Sequence, residues 1–323
     1  MNALYKQLEN NIYKNIKNKN QKIETIFIGG GTPSTIKYQL YEKIFLLIKP
    51  YMSKNIEITT EANPNSATKN WLEGMYSLGV NRISFGTQTF NDEKLKILGR
   101  AHNSNKSFEA IKNARSVGFD NINCDIIYGV KGDTFENLKK DFDIVSSLEI
   151  NHISSYSLTI EENTKFFNTP HIKIDDENLS KNIFEYLDKL GFNQYEISNF
   201  SKSNKYISKH NKGYWEHKEY LGGGCGAVGY INKQRHYPSK NLEKYINNPL
   251  FTDIEILNNK DIKMEKVLLG IRSYIGVDIN IFTQNELNRL DILVKDKKIK
   301  IVNEKIVNNN FLIADELALY ILD

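Results

Sequence analysis

The chain has 323 residues, a net charge of +4, 40% hydrophobic and 25% charged residues. That length suits roughly two domains, or one large α/β domain with an appendage, and the balance excludes collagen-like, low-complexity and globally disordered chains. The charge is too small to imply nucleic acid by itself, and no apolar run approaches the ~18–20 residues of a membrane span.

Residues 2–18 put Leu4, Leu8, Ile12 and Ile16 on one helical face. Lys6, Glu9, Lys14 and Lys17 interrupt that segment where a signal peptide needs an apolar stretch, so the expected location is the cytoplasm. A β-branched and aromatic run over 23–28 stops at Gly29-Gly30-Gly31. Pro33 suits the first turn of a following helix with Thr32 as its cap, and 36–49 carries helical spacing through Leu40, Ile44, Leu47 and Ile48. Residues 55–60 alternate as a strand and then meet Glu61 and Asn63-Pro64. The next helix is expected over 66–78, capped by Ser66 and stopped at Gly79. Strand signals return at 81–85, 121–127 and 152–158, separated by helical patterns at 91–98, 105–117 and 134–148; a further helix over 176–190 ends at Gly191. After about Asn193 the rhythm gives way to aromatic clusters, glycines and polar loops. Helical spacing reappears near Ile262 (Met264, Val267, Leu268, Ile271), followed by short alternating pieces that suit a small hairpin.

Strands separated by helices pair in parallel, because a parallel pair needs a crossover. An open doubly wound sheet and a β/α barrel both fit this order. The opening helix favours a barrel without its first strand. The expected architecture is an α/β fold: five or six parallel strands in a partial β/α barrel over 1–192, and a smaller C-terminal α+β region over 193–323. The chain's two cysteines, Cys124 and Cys225, exclude a disulfide scaffold and suit a reducing compartment. They also fall short of the three or four ligands of an iron–sulfur cluster or structural zinc site.

Each predicted strand ends in a glycine or polar group: Gly29 to Thr32, Glu61, Gln88, Asp125 and Ser155-Tyr156. Parallel β/α folds bind ligands at the C-terminal strand ends, so these groups should converge on one mouth. Glycines expose N–H donors, Glu61 can accept from an ammonium or ribose hydroxyl, and Gln88 and Asp125 can read polar edges, which together suits a nucleoside-like ligand. The triple glycine lacks the lysine of a phosphate loop and the spacing of G-x-G-x-x-G.

Several strings, in order, carry a resemblance: Phe27 to Ser34 (FIGGGTPS), Glu61 to Pro64 (EANP), Asn81 to Phe90 (NRISFGTQTF), Leu98 to His102 (LGRAH), Asn123 to Gly129 (NCDIIYG), His152 through Thr164, and Tyr195 to Phe200 (YEISNF). The chain resembles, from about Glu24 to Tyr245, the radical S-adenosylmethionine family that holds oxygen-independent coproporphyrinogen III oxidase and the heme chaperone HemW. The resemblance implies S-adenosylmethionine contacts at Gly30, Gly31, Thr32, Glu61, Gln88, Arg100 and Asp125. The string His210-Asn211-Lys212-Gly213-Tyr214-Trp215 resembles the chaperone branch, which implies heme at His210, an imidazole being a natural axial ligand. Tyr214 and Trp215 could pack on the porphyrin, with Lys209, Lys212 or Arg235 near its propionates. Leu221 to Ala227 (LGGGCGA) resembles the same branch, and its Cys225, like Cys124, reads as a small buried residue.

The family also implies a [4Fe–4S] cluster on a C-x-x-x-C-x-x-C loop after a first strand. That strand and loop are absent here, so no cluster ligand is assigned in this chain. The expected function is a heme chaperone that binds heme and S-adenosylmethionine and hands heme to respiratory apoproteins. The alternatives are an oxygen-independent coproporphyrinogen III oxidase, or an inactive N-terminally truncated fragment.

Overall fold

The structure is a computed structural model describing residues 1–18, 21–160, 162 and 166–323. Thr164, which ends one of the family-like strings, lies outside the described residues. In chain order come α1 (Asn2–Asn15), β1 (Ile23–Ile28), α2 (Glu42–Ile48), β2 (Met52–Ala62), α3 (Lys69–Ser77), β3 (Arg82–Gln88), α4 (Asp92–Ile97), α5 (Ser104–Val117), β4 (Asn121–Tyr128), α6 (Phe135–Ser147), β5 (His152–Ser157) and α7 (Glu177–Lys189). There follow β6 (Asn193–Gln194), β7 (Asn199–Ser201), α8 (Lys209–Trp215), β8 (Gly229–Ile231), β9 (Gln234–Pro238), α9 (Leu242–Asn247), β10 (Thr252–Ile256), α10 (Asn259–Ile271), β11 (Val277–Asp278), α11 (Gln284–Lys295), β12 (Ile299–Val302), β13 (Lys305–Asn308) and α12 (Ala314–Leu322).

Packing divides the chain into two units that interleave in sequence. A sheet unit holds Thr25–Gln39 and Glu57–Ile207; a flanking unit holds Met1–Glu24, Leu40–Ile56 and Ser208–Asp323. These units follow contacts, whereas the division at 192/193 follows motif content.

Among the described residues, seven strands form the main sheet in the order β1-β2-β3-β4-β5-β7-β6. Strands β2 to β5 pair in parallel. Their order never reverses, as it would in a doubly wound sheet, so the winding is that of a partial β/α barrel. Beyond the strands expected within 23–158, the sheet gains two short ones: β7 pairs antiparallel with β5, and β6 antiparallel with β7. Alternation assigns two faces. Ile83, Phe85, Ile122, Cys124 and Ile153 are fully buried on one, as are Leu72, Met75, Ile111, Ala114, Phe142 and Val145 from α3, α5 and α6. Ser84, Asn123, Asp125, His152 and Ser154 take the other.

Local expectations mostly survive, with three corrections. Thr68, not Ser66, caps α3 by accepting from Trp71 N–H. Thr32 precedes only a 3₁₀ turn over Pro33–Thr35, and its side chain makes no cap bond. The helix read over 36–49 resolves into a 3₁₀ turn at Tyr38–Tyr41 and the shorter α2. Gly118 ends α5 at φ +115°, as its position suggests.

In the flanking unit, α10, α11 and α12 enclose the sheet β11-β13-β12 around a core of Val267, Ile271, Leu290, Leu293, Ile306, Ala318 and Ile321. The expected hairpin is β12–β13, turning at Asn303-Glu304 with φ of 51° and 60°. A second sheet has the order β10-β9-β8. Among the described residues no helix is long and apolar enough to cross a membrane.

Candidate functional site

β1 stops where its β-branched run meets the three glycines. Gly30 and Gly31 take φ of +84° and +62°, and a Cβ on either would point into open space, so the turn presents bare backbone outward. A Cβ on Gly29 would come 2.6 Å from the Phe27 ring and 3.2 Å from the Glu61 carboxyl carbon. Gly30 N–H donates to Glu61 Oε2 at 3.3 Å, tying this turn to the end of β2. Ser34 Oγ lies 2.6 Å from Ser66 Oγ and accepts the Asn63 N–H at 3.0 Å, which closes the same seam. Thr32 is half-buried beside it.

Register brings the carboxylates to one face. Glu61 pairs with Ser84, Ser84 with Asn123 and Asn123 with His152, a polar row across four strands. Asp125 lies two residues beyond Asn123 on the same face. Its Oδ1 accepts from Asn123 Nδ2 at 2.7 Å and from Ser84 Oγ at 3.4 Å. Burial pushes the Asp125 carboxyl up to about 6, and the Glu61 charge adds to this; the Asn123 and Ser84 hydrogen bonds and the Arg82 charge pull the other way. Glu61 is likewise raised by burial, against the Gly30 N–H. Asp125 is nonetheless only half-buried.

Gln88 is 4% exposed and takes φ +67° where the β3–β4 register shifts. Its Oε1 accepts the Tyr156 hydroxyl at 3.3 Å. The Tyr156 phenol is held protonated by burial first and then by Asp125, with Arg100 and Gln88 opposing and Glu61 adding. Tyr156 is thus where the fields of Asp125, Arg100 and Glu61 meet. Arg100 itself is exposed. The structure therefore gathers Gly30, Glu61, Gln88 and Asp125 at one end of the sheet, with Gly31 and Thr32 adjoining in chain, and the charge of Arg100 acts on Tyr156 there.

Sequence reasoning passed over the network beneath. His152 Nδ1 lies 2.6 Å from Asn123 Oδ1, and its Nε2 lies 2.7 Å from the Tyr195 hydroxyl. Ser154 Oγ donates to Asn199 Oδ1 at 2.7 Å. Asn123 spends its amide N–H groups on Ser84 and Asp125, so with that amide orientation Oδ1 accepts from His152 Nδ1–H, and Nε2 accepts from Tyr195. Burial and the Arg82 charge hold His152 well below its ordinary value, hence neutral. The signal available was polar residues at every second position in otherwise apolar strands.

His210 lies in the flanking unit. It sits in the short helix α8 rather than on a loop, because Ser208 caps that helix through Asn211 N–H. Tyr214, one turn on, shares its face. Nε2 of His210 lies 3.0 Å from the Tyr214 hydroxyl, and the rings meet edge to face at 4.8 Å. Tyr214 in turn meets Tyr220 at 4.8 Å and 86°. The Trp215 indole N–H is buried without a hydrogen-bond partner among the described residues. The basic groups expected at propionates already have partners: Lys209 donates to the Asn55 carbonyl at 3.1 Å, Lys212 pairs with Glu216 at 3.1 Å, and Arg235 pairs with Glu265 at 2.6 Å. Glu265 also meets His217 Nε2 at 2.9 Å.

Residues 5–145 match the Radical SAM superfamily model. A heme chaperone HemW of Lactococcus lactis is 33% identical over 311 residues, covering 90% of this chain and 79% of that protein. A Bacillus subtilis HemW is 31% identical, covering 96% and 85%. The chain belongs to the HemW family. The fold agrees: coproporphyrinogen III oxidase (HemN) of Escherichia coli superposes with a TM-score of 0.79 over 99% of this chain and 82% of that one, at 19% identity.

Membership of the HemW family implies S-adenosylmethionine and a [4Fe–4S] cluster as cofactors. The residues of this chain do not fit the cluster. Cys124 is fully buried in β4, and burial pushes its thiol up to about 12. Cys225 is half-buried and donates to the Ser239 carbonyl at 3.2 Å. Two cysteines do not supply three thiolates, and among the described residues no group of three or more His, Cys, Asp or Glu side chains converges. The polar mouth does fit S-adenosylmethionine. Open backbone at Gly30 and Gly31 adjoins Glu61, and Asp125 lies near enough to feel the Glu61 charge; both carboxylates are acceptors for a ligand that is cationic at sulfur and at its ammonium.

Proposed function

We propose that this chain is a heme chaperone: it binds heme at the α8 face carrying His210, holds S-adenosylmethionine at the mouth of the sheet unit, and delivers heme to respiratory apoproteins. The observation that carries this reading is the H-N-x-x-Y-W string folding as a helix turn that sets His210 and Tyr214 together on one half-buried face, in a chain of the HemW family. At the mouth, Gly30, Gly31 and Thr32 offer backbone to the ligand's amino-acid end, Glu61 and Asp125 meet its positive charge, and Gln88 and Arg100 read its polar edges. S-adenosylmethionine would bring to that site a sulfonium whose reductive cleavage needs an electron. Residues 1–192 carry the radical-SAM-like part and 193–323 the chaperone-like part. The location is the cytoplasm, where free Cys124 and Cys225 stay reduced.

Titrating the protein with hemin should shift its Soret band. His210→Ala should weaken binding about tenfold or more, and Lys212→Ala only slightly, since Lys212 is a solvent-screened partner of Glu216. No shift with the unmodified protein overturns the chaperone reading. Equal losses from both substitutions would remove His210 from the site. The H-N-x-x-Y-W string favours this reading over an oxygen-independent coproporphyrinogen III oxidase, to which the chain's likeness is one of fold.

A further inference from the structure

We propose that His152 is a positioning residue for the S-adenosylmethionine site: held between Tyr195 and Asn123, it fixes which way the Asn123 amide faces and so presents the Asp125 carboxylate to the ligand. The inference rests on the S-adenosylmethionine reading above and extends it to a side chain that is itself fully enclosed.

Each bond in this series forces the next. An ionised carboxylate only accepts hydrogen bonds, so the end of the Asn123 amide lying 2.7 Å from Asp125 Oδ1 must be Nδ2. The same nitrogen donates to Ser84 Oγ at 2.7 Å. Asn123 Oδ1 then faces His152 Nδ1 at 2.6 Å and can only accept, which places the imidazole proton on Nδ1. Nε2 is left as an acceptor, and the Tyr195 hydroxyl donates to it at 2.7 Å. Every donor in the series points toward Asp125. Ser154 does not replace His152 in this role: its one hydroxyl proton goes to Asn199 Oδ1 at 2.7 Å, against 3.2 Å to Asn123 Oδ1. Register keeps the members in reach, since Ser84, Asn123 and His152 are neighbours on three parallel strands.

The hydrogen bonds from Asn123 and Ser84 both arrive at Oδ1 of Asp125; among the described residues Oδ2 receives none, and it is the oxygen left for a cationic ligand. Were the Asn123 amide to turn over, its carbonyl oxygen would meet Asp125 Oδ1 and repel the charged form. His152 prevents this while it stays neutral with its proton on Nδ1, and burial followed by the Arg82 charge keeps it neutral. The other charged groups acting on Asp125 are Glu61 of β2 and Arg82 of β3. Cys124 of β4 and Tyr156 of β5 feel the Asp125 charge in turn, and Arg100 acts on Tyr156 as well.

Two measurements on the full chain test this: calorimetric titration with S-adenosylmethionine between about pH 5 and 8, and nitrogen NMR of isotope-labelled histidine. The unmodified protein should bind, and His152 should display the Nδ1–H tautomer. His152→Leu, which fills the space without a donor, should bind about tenfold more weakly at neutral pH. The acid limb of its affinity should also move to higher pH, because the Asn123 hydrogen bond that holds the Asp125 carboxyl down is no longer enforced. His152→Asn, whose amide reaches the Nδ1 position, should stay within about threefold of the parent, whatever its melting temperature. A purely structural role would instead make affinity follow melting temperature. The tautomer is read in the unmodified protein and needs no variant to fold. An Nε2–H tautomer at His152 overturns the inference and leaves the S-adenosylmethionine reading standing. So do His152→Leu and His152→Asn proteins weakened alike, or a His152→Leu protein with the parent's affinity and acid limb. Failure of the unmodified protein to bind S-adenosylmethionine removes that reading and the inference with it.

Discussion

At the scale of single residues, Asp125 is stabilised in its protonated form by the fold and is therefore a stability cost when charged. Its carboxyl is raised from 3.8 to about 6. Between those values the folded chain keeps a proton that the unfolded chain releases, so stability falls as pH rises through that window, and the penalty is complete above it. Asp125→Asn retains an oxygen to accept from Asn123 and Ser84 and removes the penalty. The variant should be more stable than the parent above about pH 7, by on the order of 2 kcal/mol less whatever solvent reaches its open edge, and the gap should close near pH 4. Urea melts at several pH values check this; a variant less stable than the parent at neutral pH sinks it. Glu61→Gln should bring the Asp125 carboxyl down, because Glu61 is one of the charges that raises it. The same residues mark what a sequence can reveal. Glu61, Gln88 and Asp125 were legible because each ends a β-rich run. Tyr195 and His152 were not: their partnership spans 43 positions and no local pattern encodes it.

At the scale of elements, local chemistry fixed most helix ends, and tertiary contacts decided the exceptions. Ser66 has the right residue type for a cap, but its hydroxyl is taken by Ser34, 32 positions away, and Thr68 does the capping instead. The loop after β4 is held by a buried ion pair of the same long-range kind. Lys94 Nζ of α4 lies 2.8 Å from Asp133 Oδ1 and donates to the Ile127 carbonyl at 2.7 Å, while Val130 N–H donates to Asp133 at 3.0 Å. Removing one partner strands a charge that is less than a tenth exposed. Asp133→Ala should therefore cost about 3–5 kcal/mol in urea unfolding, and the double change Lys94→Met with Asp133→Leu should cost much less. Equal losses from the single and double changes would mean that the loop packing, not the buried charge, carries the effect. The strands β6 and β7 escaped the sequence reading for a plainer reason: two and three residues are too few to display an alternation.

At the scale of the whole molecule, the βα rhythm made the partial barrel legible, whereas the interleaving of the two units was not, because it depends on contacts across most of the chain. Helix α1 is the clearest case. Gln7 is buried and accepts from Gly224 N–H at 2.8 Å and from the Tyr245 hydroxyl at 2.7 Å, and a Cβ on Gly223 would come 2.6 Å from Leu8. A fragment ending at Ile207 removes every one of these partners. It should bind an apolar dye and unfold over a broader urea range than the full chain; a dye-silent, sharply cooperative fragment would contradict this. The same contacts set a clock on biosynthesis. Asn11 meets the Gly222 carbonyl across 211 positions, so α1 leaves the ribosome long before its partners exist. At about 5–20 residues per second, its face of Leu4, Leu8 and Ile12 waits roughly ten to forty seconds in water. During that interval the nascent chain offers a short apolar helix to any holdase nearby, and the speed of translation, rather than the finished fold, governs how often it is claimed.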